Sequence, residues 1–313
     1  MKITQWLRQR ISSPKTVEAA QAEQKPAVPV QANAAASAWA DVALSNGHYR
    51  LEPFTEGGIC VVMKGIPLEA GKPKLAVKLV REQWLDHAAV RRQFSNESQI
   101  VRELQHPSLP KFCGRGLIGQ QAYYAYEFIE GFPLIHLSQE QGRFPPSLVR
   151  QMAPSLVRQL LEQLHHLHSG LKPVVHGDIS SENILIDPRQ KLYLVDFGCA
   201  HFLRQANKES YQWIAKPSFI SPEQARGESW DQRSDLYQAG ILFYELLLGR
   251  RWNVGHSKRD KVLFAAATQR QADDFLCPEI SPAISAIVAK LLDPDPDGRF
   301  SSAQDALKAL EGV

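Results

Sequence analysis

The hydrophobic pattern of the chain changes near residue 130, and this change constrains the fold more than any other feature of the sequence. Residues 49–130 contain the strand-like runs CVVM, LAVKLV and YYAYEFI, interrupted by one helical stretch at 90–104. From residue 147 onward helical patterns dominate, and the run SDLYQAGILFYELLLG is apolar enough to lie inside a helical lobe. The sequence therefore predicts an α+β fold, in which a small sheet-rich lobe with one helix precedes a larger, mostly helical lobe.

The first 45 residues carry two patterns that fit neither lobe. Residues 1–15 combine basic side chains and no acidic one with apolar residues that recur every four positions, as on one face of a helix. Such a segment suits a partner protein or an anionic membrane surface, and an unanchored tail equally well. Residues 12–45 are rich in Ala, Gln, Pro and Val, which is typical of a disordered linker. We therefore expect a segment and linker at 1–45 and one domain at 46–313, with lobes at about 46–130 and 131–313.

The composition excludes several classes of protein. The chain has 36 Lys and Arg against 33 Asp and Glu, so its formal net charge of +3 gives no reason to expect nucleic acid as a partner. Its four cysteines form no Cys-x-x-Cys pair, which argues against a disulfide framework and a structural zinc site. No apolar run approaches the roughly 20 residues that a membrane-spanning helix needs. We therefore expect a cytoplasmic protein, with peripheral attachment at the inner membrane face as the alternative.

Two polar motifs in the second lobe are flanked by apolar residues. The first is VVHGDISSENILI at 174–186, and the second is LVDFG, which contains Asp196, Phe197 and Gly198. Together they resemble the catalytic loop and the magnesium-binding D-F-G of the eukaryotic-like protein kinases, in the bacterial serine/threonine style. The family's other elements are also present, in the order in which the family has them. LAVK with Lys78, Glu97 in the next helix and YEFIEG at 126–131 precede the two motifs, and ISPE ending in Glu223 and SDLYQAG from Ser234 come after them.

The resemblance implies the bilobal α+β protein-kinase fold, in which the sheet of the small lobe is antiparallel. It also implies an enzyme that uses ATP and Mg²⁺, and it assigns a role to each polar residue. Lys78 would hold the ATP phosphates and pair with Glu97, which its helical spacing aims inward among apolar neighbours. Asp178 would orient the attacking hydroxyl or accept its proton. Asn183 and Asp196 would supply the hard oxygen ligands that Mg²⁺ prefers. All of these side chains are expected to converge on one nucleotide between the two lobes.

The stretch TEGGICVV matches the family's glycine-rich loop only in part. Aligned on G-x-G-x-x-G-x-V, it places Thr55 and Cys60 at glycine positions, Gly57 at the second glycine and Val62 at the valine. Backbone amides can still approach phosphate at Gly57 and Gly58. By resemblance, the remaining nucleotide contacts fall to Ala76, Glu127, Ile129 and Leu185.

The catalytic loop departs from the family pattern at two positions. Gly177 replaces the Arg that usually precedes the catalytic Asp, and Ser180 stands where most serine/threonine kinases carry a Lys. Lys216 occupies a position at which the family usually has a Thr that contacts that same Asp and Lys. One hypothesis is that the two positions have exchanged roles, so that Lys216 supplies the catalytic cation and Ser180 the hydroxyl. The alternative is a solvated loop lysine.

Structural landmarks favour protein kinases over small-molecule kinases. By resemblance, Glu223 pairs with Arg299 of DPDPDGRF, and Asp235 braces the catalytic loop. Aminoglycoside-type phosphotransferases share the His-Gly-Asp form of the loop but are not expected to have these elements. We therefore predict transfer of the γ-phosphoryl group to a Ser or Thr hydroxyl of a protein substrate, including autophosphorylation. The alternative is a pseudokinase that acts as a nucleotide-binding scaffold or switch.

Overall fold

The computed structural model describes residues 41–137, 144–205, 216–267 and 278–313, so the amphipathic segment and most of the predicted linker lie outside the described residues. The chain divides into two compact units. Of the described residues, the first contains those from 41 to 132 together with Asp187–Gln190, and the second contains those within Pro133–Ile186 and Lys191–Val313. Of the cysteines, Cys277 lies outside the described residues, and Cys60, Cys113 and Cys199 are free thiols.

The first unit is an antiparallel sheet of six strands with one helix, α1 (Ala88–Glu103). Its strands are β1 (Val42–Leu44), β2 (Gly47–Glu56), β3 (Cys60–Pro67), β4 (Leu75–Val80), β5 (Phe112–Ile118) and β6 (Gln121–Glu127). Their order in the sheet is β1-β2-β3-β4-β6-β5. All six residues of β4 are buried, because β4 lies inside the sheet with β3 and β6 as its neighbours.

The folded chain begins earlier than the sequence predicted. Strand β1 lies within the last residues of the segment predicted as linker, and it pairs with β2 through Val42 and Tyr49. Leu44 and Tyr49 are buried in the core on one face of the sheet, where they pack with Leu75 and Val77 of β4. Three apolar residues after a long stretch rich in Ala, Gln and Pro give too short a pattern to be read as a strand.

The second unit is mostly helical. Its helices are α2 (Pro146–Ser169), α3 (Pro222–Ala225), α4 (Gln232–Leu248), α5 (Lys258–Ala267), α6 (Pro282–Leu291) and α7 (Ala303–Glu311). Met152, Leu156, Leu160 and Leu164 form a buried stripe on α2, and α4 is buried along most of its length, as its composition predicted. The predicted α+β class, with a sheet-rich first unit and a helical second one, is confirmed. Within the described ranges, no helix is long and apolar enough to cross a bilayer.

Short strands of the second unit frame the two polar motifs. Strand β8 (Val174–Val175) pairs with β11 (His201–Phe202), and β9 (Ile184–Ile186) pairs with β10 (Leu192–Leu194). The remaining strand, β7 (Phe132–Pro133), falls where the first unit ends in the sequence. The catalytic-loop motif therefore runs from β8 to β9, and the D-F-G motif runs from β10 to β11.

Candidate active site

In the first unit, Lys78 and Glu97 form a buried ion pair. Lys78 lies on β4 and Glu97 on α1, and Lys78 Nζ is 2.6 Å from Glu97 Oε1. The two side chains are only 11% and 3% exposed. A carboxylate and an ammonium so far removed from water are retained only when each compensates the other's charge. This pairing matches the sequence expectation, and the role of both residues toward a nucleotide stays a prediction.

The sequence reasoning missed Tyr124 as a third member of this cluster. Tyr124 lies opposite Lys78 in the pairing of β4 with β6, and its hydroxyl donates a 2.8 Å hydrogen bond to Glu97 Oε1. One carboxylate oxygen therefore accepts from both an ammonium and a phenol. The signal was present in YYAYEF, where the adjacent Tyr123 and Tyr124 point to opposite faces of a strand, but the sequence alone does not say which face meets the helix.

The glycine-rich stretch forms the turn between β2 and β3. Gly57 N donates to the Cys60 carbonyl at 2.8 Å, which closes the turn. Thr55 lies opposite Val62 in the strand register. A Cβ built on Gly58 would meet nothing within 4 Å, so the tip has room around it.

Two residues that follow β4 hold this turn, and the sequence reasoning did not single out either. Trp84 Nε1 donates to the Gly58 carbonyl at 3.0 Å, and Arg81 N donates to the Ile59 carbonyl at 2.9 Å. Arg81 Nη2 also donates to Glu56 Oε2 at 2.7 Å. Contacts from another segment therefore anchor the backbone of the turn, although two of the family's glycines are absent.

The other residues predicted to contact the nucleotide differ in burial and in the unit to which they belong. Ala76 is buried on β4 opposite Tyr126 of β6, and Ile129 follows β6 and is half-buried. The Glu127 carboxylate accepts from Lys111 Nζ at 2.7 Å in an exposed ion pair, so its side chain is engaged at the surface. Leu185 belongs to the second unit, where it is half-buried on β9.

In the second unit, Asp235 of α4 holds the start of the catalytic-loop motif, as the resemblance predicted. Its two carboxylate oxygens accept from the backbone amides of His176 at 2.8 Å and Gly177 at 2.7 Å. His168 Nε2 lies 2.9 Å from the same carboxylate. Burial works to raise the pKa of Asp235, but its contacts with His168 and His176 lower it overall. The charged form is therefore stable in a fully buried position.

Gly177 is also held by two glutamines. Its carbonyl accepts from Gln224 Nε2 at 2.9 Å and from Gln238 Nε2 at 3.1 Å, while Gln238 Oε1 accepts from the Ile179 amide at 2.7 Å. Gly177 has φ +74°, and a Cβ there would lie 2.3 Å from the ring of Trp230. The missing Arg at this position thus has a physical reason, because both the backbone conformation and Trp230 favour glycine.

Asp178 lies at the centre of a cluster of hydrogen bonds. Asn183 Nδ2 donates to Asp178 Oδ2 at 2.7 Å, and the Lys216 amide donates to Asp178 Oδ1 at 3.0 Å. Lys216 Nζ lies 3.0 Å from Asp178 Oδ2, 2.8 Å from Asn183 Oδ1 and 3.1 Å from Ser180 Oγ. The structure therefore brings together four of the residues that the sequence singled out.

Charge in this cluster favours cations. Burial works to lower the pKa of Lys216, but Asp178 and Asp196 outweigh burial and raise it overall. Asp196 is exposed and has φ +63°, a left-handed conformation that is unusual for a residue with a side chain and is often found at functional sites. Asn183 Oδ1 already accepts from an ammonium group. These oxygens fit Mg²⁺, which prefers oxygen ligands and needs only one or two protein carboxylates beside substrate phosphates.

The predicted Glu223–Arg299 ion pair is present in the second unit. Arg299 Nη1 and Nη2 lie 2.8 Å from Glu223 Oε1 and Oε2 respectively, and Ser234 Oγ also donates to Glu223. Burial works to raise the pKa of Glu223, but Arg299 lowers it overall. The segment that carries Glu223 is therefore anchored to the C-terminal part of the unit.

The sequence is similar to that of known proteins over most of its length. A family model described as "Protein kinase domain" matches residues 50–310. The chain is 31% identical to a probable serine/threonine-protein kinase of Streptomyces coelicolor, over 85% of this chain and 40% of the relative. It is 30% identical to the serine/threonine-protein kinase pkn2 of Myxococcus xanthus, over 86% of this chain and 33% of the relative. It is 28% identical to the serine/threonine-protein kinase PrkC of Bacillus subtilis, over 74% of this chain and 35% of the relative. The chain spans two fifths or less of the length of these relatives.

Proposed function

The chain belongs to the protein kinase domain family, and from this premise we propose that it transfers the γ-phosphoryl group of ATP to a Ser or Thr hydroxyl of a protein substrate. Family membership supports the fold and the class of reaction. The cluster around Asp178 is the single observation that carries the proposal, since phosphoryl transfer depends on positioned oxygens and cations rather than on covalent chemistry by the protein.

In the proposed reaction, the substrate hydroxyl oxygen forms a bond to the γ-phosphorus while the bond from that phosphorus to the β,γ-bridging oxygen breaks. The hydroxyl proton passes to the Asp178 carboxylate, and ADP leaves with the bonding electron pair. Asn183 Nδ2 holds one Asp178 oxygen at 2.7 Å and the Lys216 amide holds the other at 3.0 Å, so the proposed base is oriented before substrate binds. Lys78, oriented by Glu97, binds ATP phosphates.

We propose Asn183 and Asp196 as the residues that would hold Mg²⁺. When bound, Mg²⁺ neutralises charge on the ATP phosphates. The turn at Gly57 and Gly58 lies over the phosphates in this proposal, flanked by Thr55 and Cys60, while the adenine contacts fall to Val62, Ala76, Glu127, Ile129 and Leu185. We further propose residues 46–313 as the catalytic domain, preceded by a segment at 1–45 that contacts a partner protein or a membrane surface.

The experiment that tests this function compares the wild type with Asp178→Asn. Purified protein is incubated with labelled ATP and Mg²⁺, alone and with a generic protein substrate, and phosphoserine and phosphothreonine are separated after acid hydrolysis. Label in the wild type that falls to background in Asp178→Asn is the expected result. Equal label in both would remove the catalytic assignment. A melting temperature that rises with ATP in both proteins, without any transfer, would support the pseudokinase alternative.

A further inference from the structure

The loop that contains the proposed base carries no cation of its own. Residues 176–183 read HGDISSEN, which includes neither Lys nor Arg. The transferring phosphoryl group gains negative charge on its outer oxygens as the reaction proceeds, and a water-poor site must offset that charge with fixed positive groups. A cation from outside the loop therefore has a defined task next to Asp178.

Lys216 is positioned for this task by contacts of both its backbone and its side chain. Its backbone amide is fixed to Asp178 Oδ1 at 3.0 Å, and its ammonium reaches Asp178 Oδ2 at 3.0 Å. The side chain between these two ends is a flexible four-carbon stem that is 31% exposed. The anchored backbone can therefore stay in place while the ammonium moves by a few ångströms.

The position of the ammonium also locates the reacting phosphate. In the proposed function, the hydroxyl that gives its proton to Asp178 is the group that bonds to the γ-phosphorus. The outer phosphate oxygens are bonded to that same phosphorus, so they lie close to Asp178. Lys216 Nζ lies 3.0 Å from Oδ2 of the proposed base Asp178 and 2.8 Å from Oδ1 of the proposed metal ligand Asn183. It thus lies between the two groups that bracket the transfer. Ser180 is fully buried, and its hydroxyl lies 3.1 Å from the same ammonium.

We propose that Lys216 is the catalytic cation of this kinase, delivered to the transferring phosphoryl group from the segment before Ser221, and that Ser180 is the residue that positions its ammonium. The inference rests on the proposed function and deepens it. When substrate occupies the site, the ammonium exchanges its contact with Asn183 Oδ1 for an outer phosphate oxygen. Asn183 Oδ1 then becomes available to Mg²⁺.

The first test replaces Lys216 by Met, which keeps the length of the side chain and removes its charge. We expect kcat to fall about 10²–10³-fold, the loss typical when one donor to developing charge is removed, while the KM for ATP changes little. Lys261→Met is the matched control, because it removes another lysine whose ammonium contacts the same segment, at Ser218 Oγ and 3.0 Å. We expect the control to keep wild-type kcat.

The second test does not depend on turnover. The melting temperature is measured with ADP and Mg²⁺, and again after addition of aluminium fluoride, which mimics the transferring phosphoryl group. We expect ADP to stabilise the wild type and Lys216→Met equally, and the additional shift from aluminium fluoride to be lost in Lys216→Met alone. An equal additional shift in both proteins overturns the proposal.

An exchange of the two positions tests the division of roles. The double variant Ser180→Lys/Lys216→Thr places an ammonium in the loop and a hydroxyl at residue 216, as in most kinases of the family. We expect its kcat to be at least tenfold higher than that of Lys216→Thr alone. If Lys216→Met matches or exceeds the wild type in kcat, Lys216 is a surface lysine or an inhibitory latch, and the proposal is wrong. If the wild type itself does not exceed Asp178→Asn, the proposed function fails first and the inference fails with it.

Discussion

Arg299 and Glu223 form a two-pronged ion pair in which both N–O distances are 2.8 Å, although 76 positions separate them in sequence. The side chains are 0% and 4% exposed, so neither charge is compensated by water. The Arg299 guanidinium also lies 4.6 Å from the centre of the Tyr237 ring, a distance suited to a cation–π contact. The C-terminal end of the second unit is therefore tied to the start of α3.

Removal of this guanidinium is expected to destabilise the protein strongly. Arg299→Ala leaves Glu223 charged and buried, with Ser234 as its one remaining side-chain donor in the part of the chain that the structure describes. Such a situation costs about 3–5 kcal/mol. Arg299→Lys keeps the charge but not the two-pronged geometry, so its loss should be smaller. Urea unfolding followed by circular dichroism measures both variants. The exposed pair of Arg226 with Glu228 provides the control, and a loss in Arg226→Ala as large as in Arg299→Ala would contradict the argument.

The hydroxyl of Tyr124 is expected to matter more than that of its neighbour Tyr123. Tyr124→Phe removes a 2.8 Å donor to the buried Glu97 carboxylate, and hydrogen bonds to charged groups contribute about 1.5–3 kcal/mol. Tyr123→Phe removes an acceptor for the backbone amide of Ser45 at 3.0 Å, a neutral contact worth about 0.5–1.5 kcal/mol. The free energy of unfolding of both variants decides the point. Equal losses would mean that Glu97 does not depend on the phenol.

The fold class and several contacts could be predicted because they depend on local patterns. Helical spacing aims Glu97 inward on α1, and an inward carboxylate needs a cation. The resemblance then identified Lys78 as that cation. The buried stripe of α2 follows in the same way. The resemblance to a known family added the long-range pair of Glu223 with Arg299, which no periodicity could supply.

The rest could not be predicted, because it depends on packing between distant segments. Trp230 lies 53 residues from Gly177 in the numbering, and nothing in either stretch says that the indole fills the space beside that glycine. The two glutamines that hold Gly177 and the indole that holds Gly58 are likewise ordinary residues in sequence. Strand β1 could not be predicted from its own three residues, because they are stabilised by pairing with β2.

Gly177 is expected to tolerate no side chain. Gly177→Ala places a methyl group 2.3 Å from the Trp230 ring and forces φ +74° on a residue with a Cβ, which costs about 1–3 kcal/mol from backbone strain alone. We expect a lower melting temperature and a loss of phosphotransfer. Gly177→Ala combined with Trp230→Ala relieves only the clash, so it should not restore the wild type. A fully active Gly177→Ala would show that the loop adapts.

Mild acid is expected to destabilise the second unit through buried histidines. Burial lowers the pKa of His176 and of His201 below the ordinary value of 6.5, although Asp235 opposes this in both cases. Below pH 6.5 the unfolded chain therefore binds protons that the folded chain does not, and the free energy of unfolding falls as pH decreases. The slope contributed by each histidine is at most about 1.4 kcal/mol per pH unit. Urea unfolding between pH 7.5 and 5.5 measures it, and His201→Phe should have a shallower slope than the wild type.

The indole of Trp84 is expected to affect the binding of ATP rather than the stability of the fold. Its Nε1 donates to the Gly58 carbonyl at 3.0 Å, and the ring is half-buried, so Trp84→Phe removes one hydrogen bond at the turn and keeps most of the aromatic surface. A hydrogen bond at a partly exposed site contributes about 0.5–1 kcal/mol, which corresponds to a roughly two- to fivefold higher KM for ATP. The melting temperature without nucleotide should change little, and kcat at saturating ATP should stay near the wild-type value. If Trp84→Phe lowers the melting temperature without nucleotide while KM stays constant, the indole stabilises the sheet and does not position the turn.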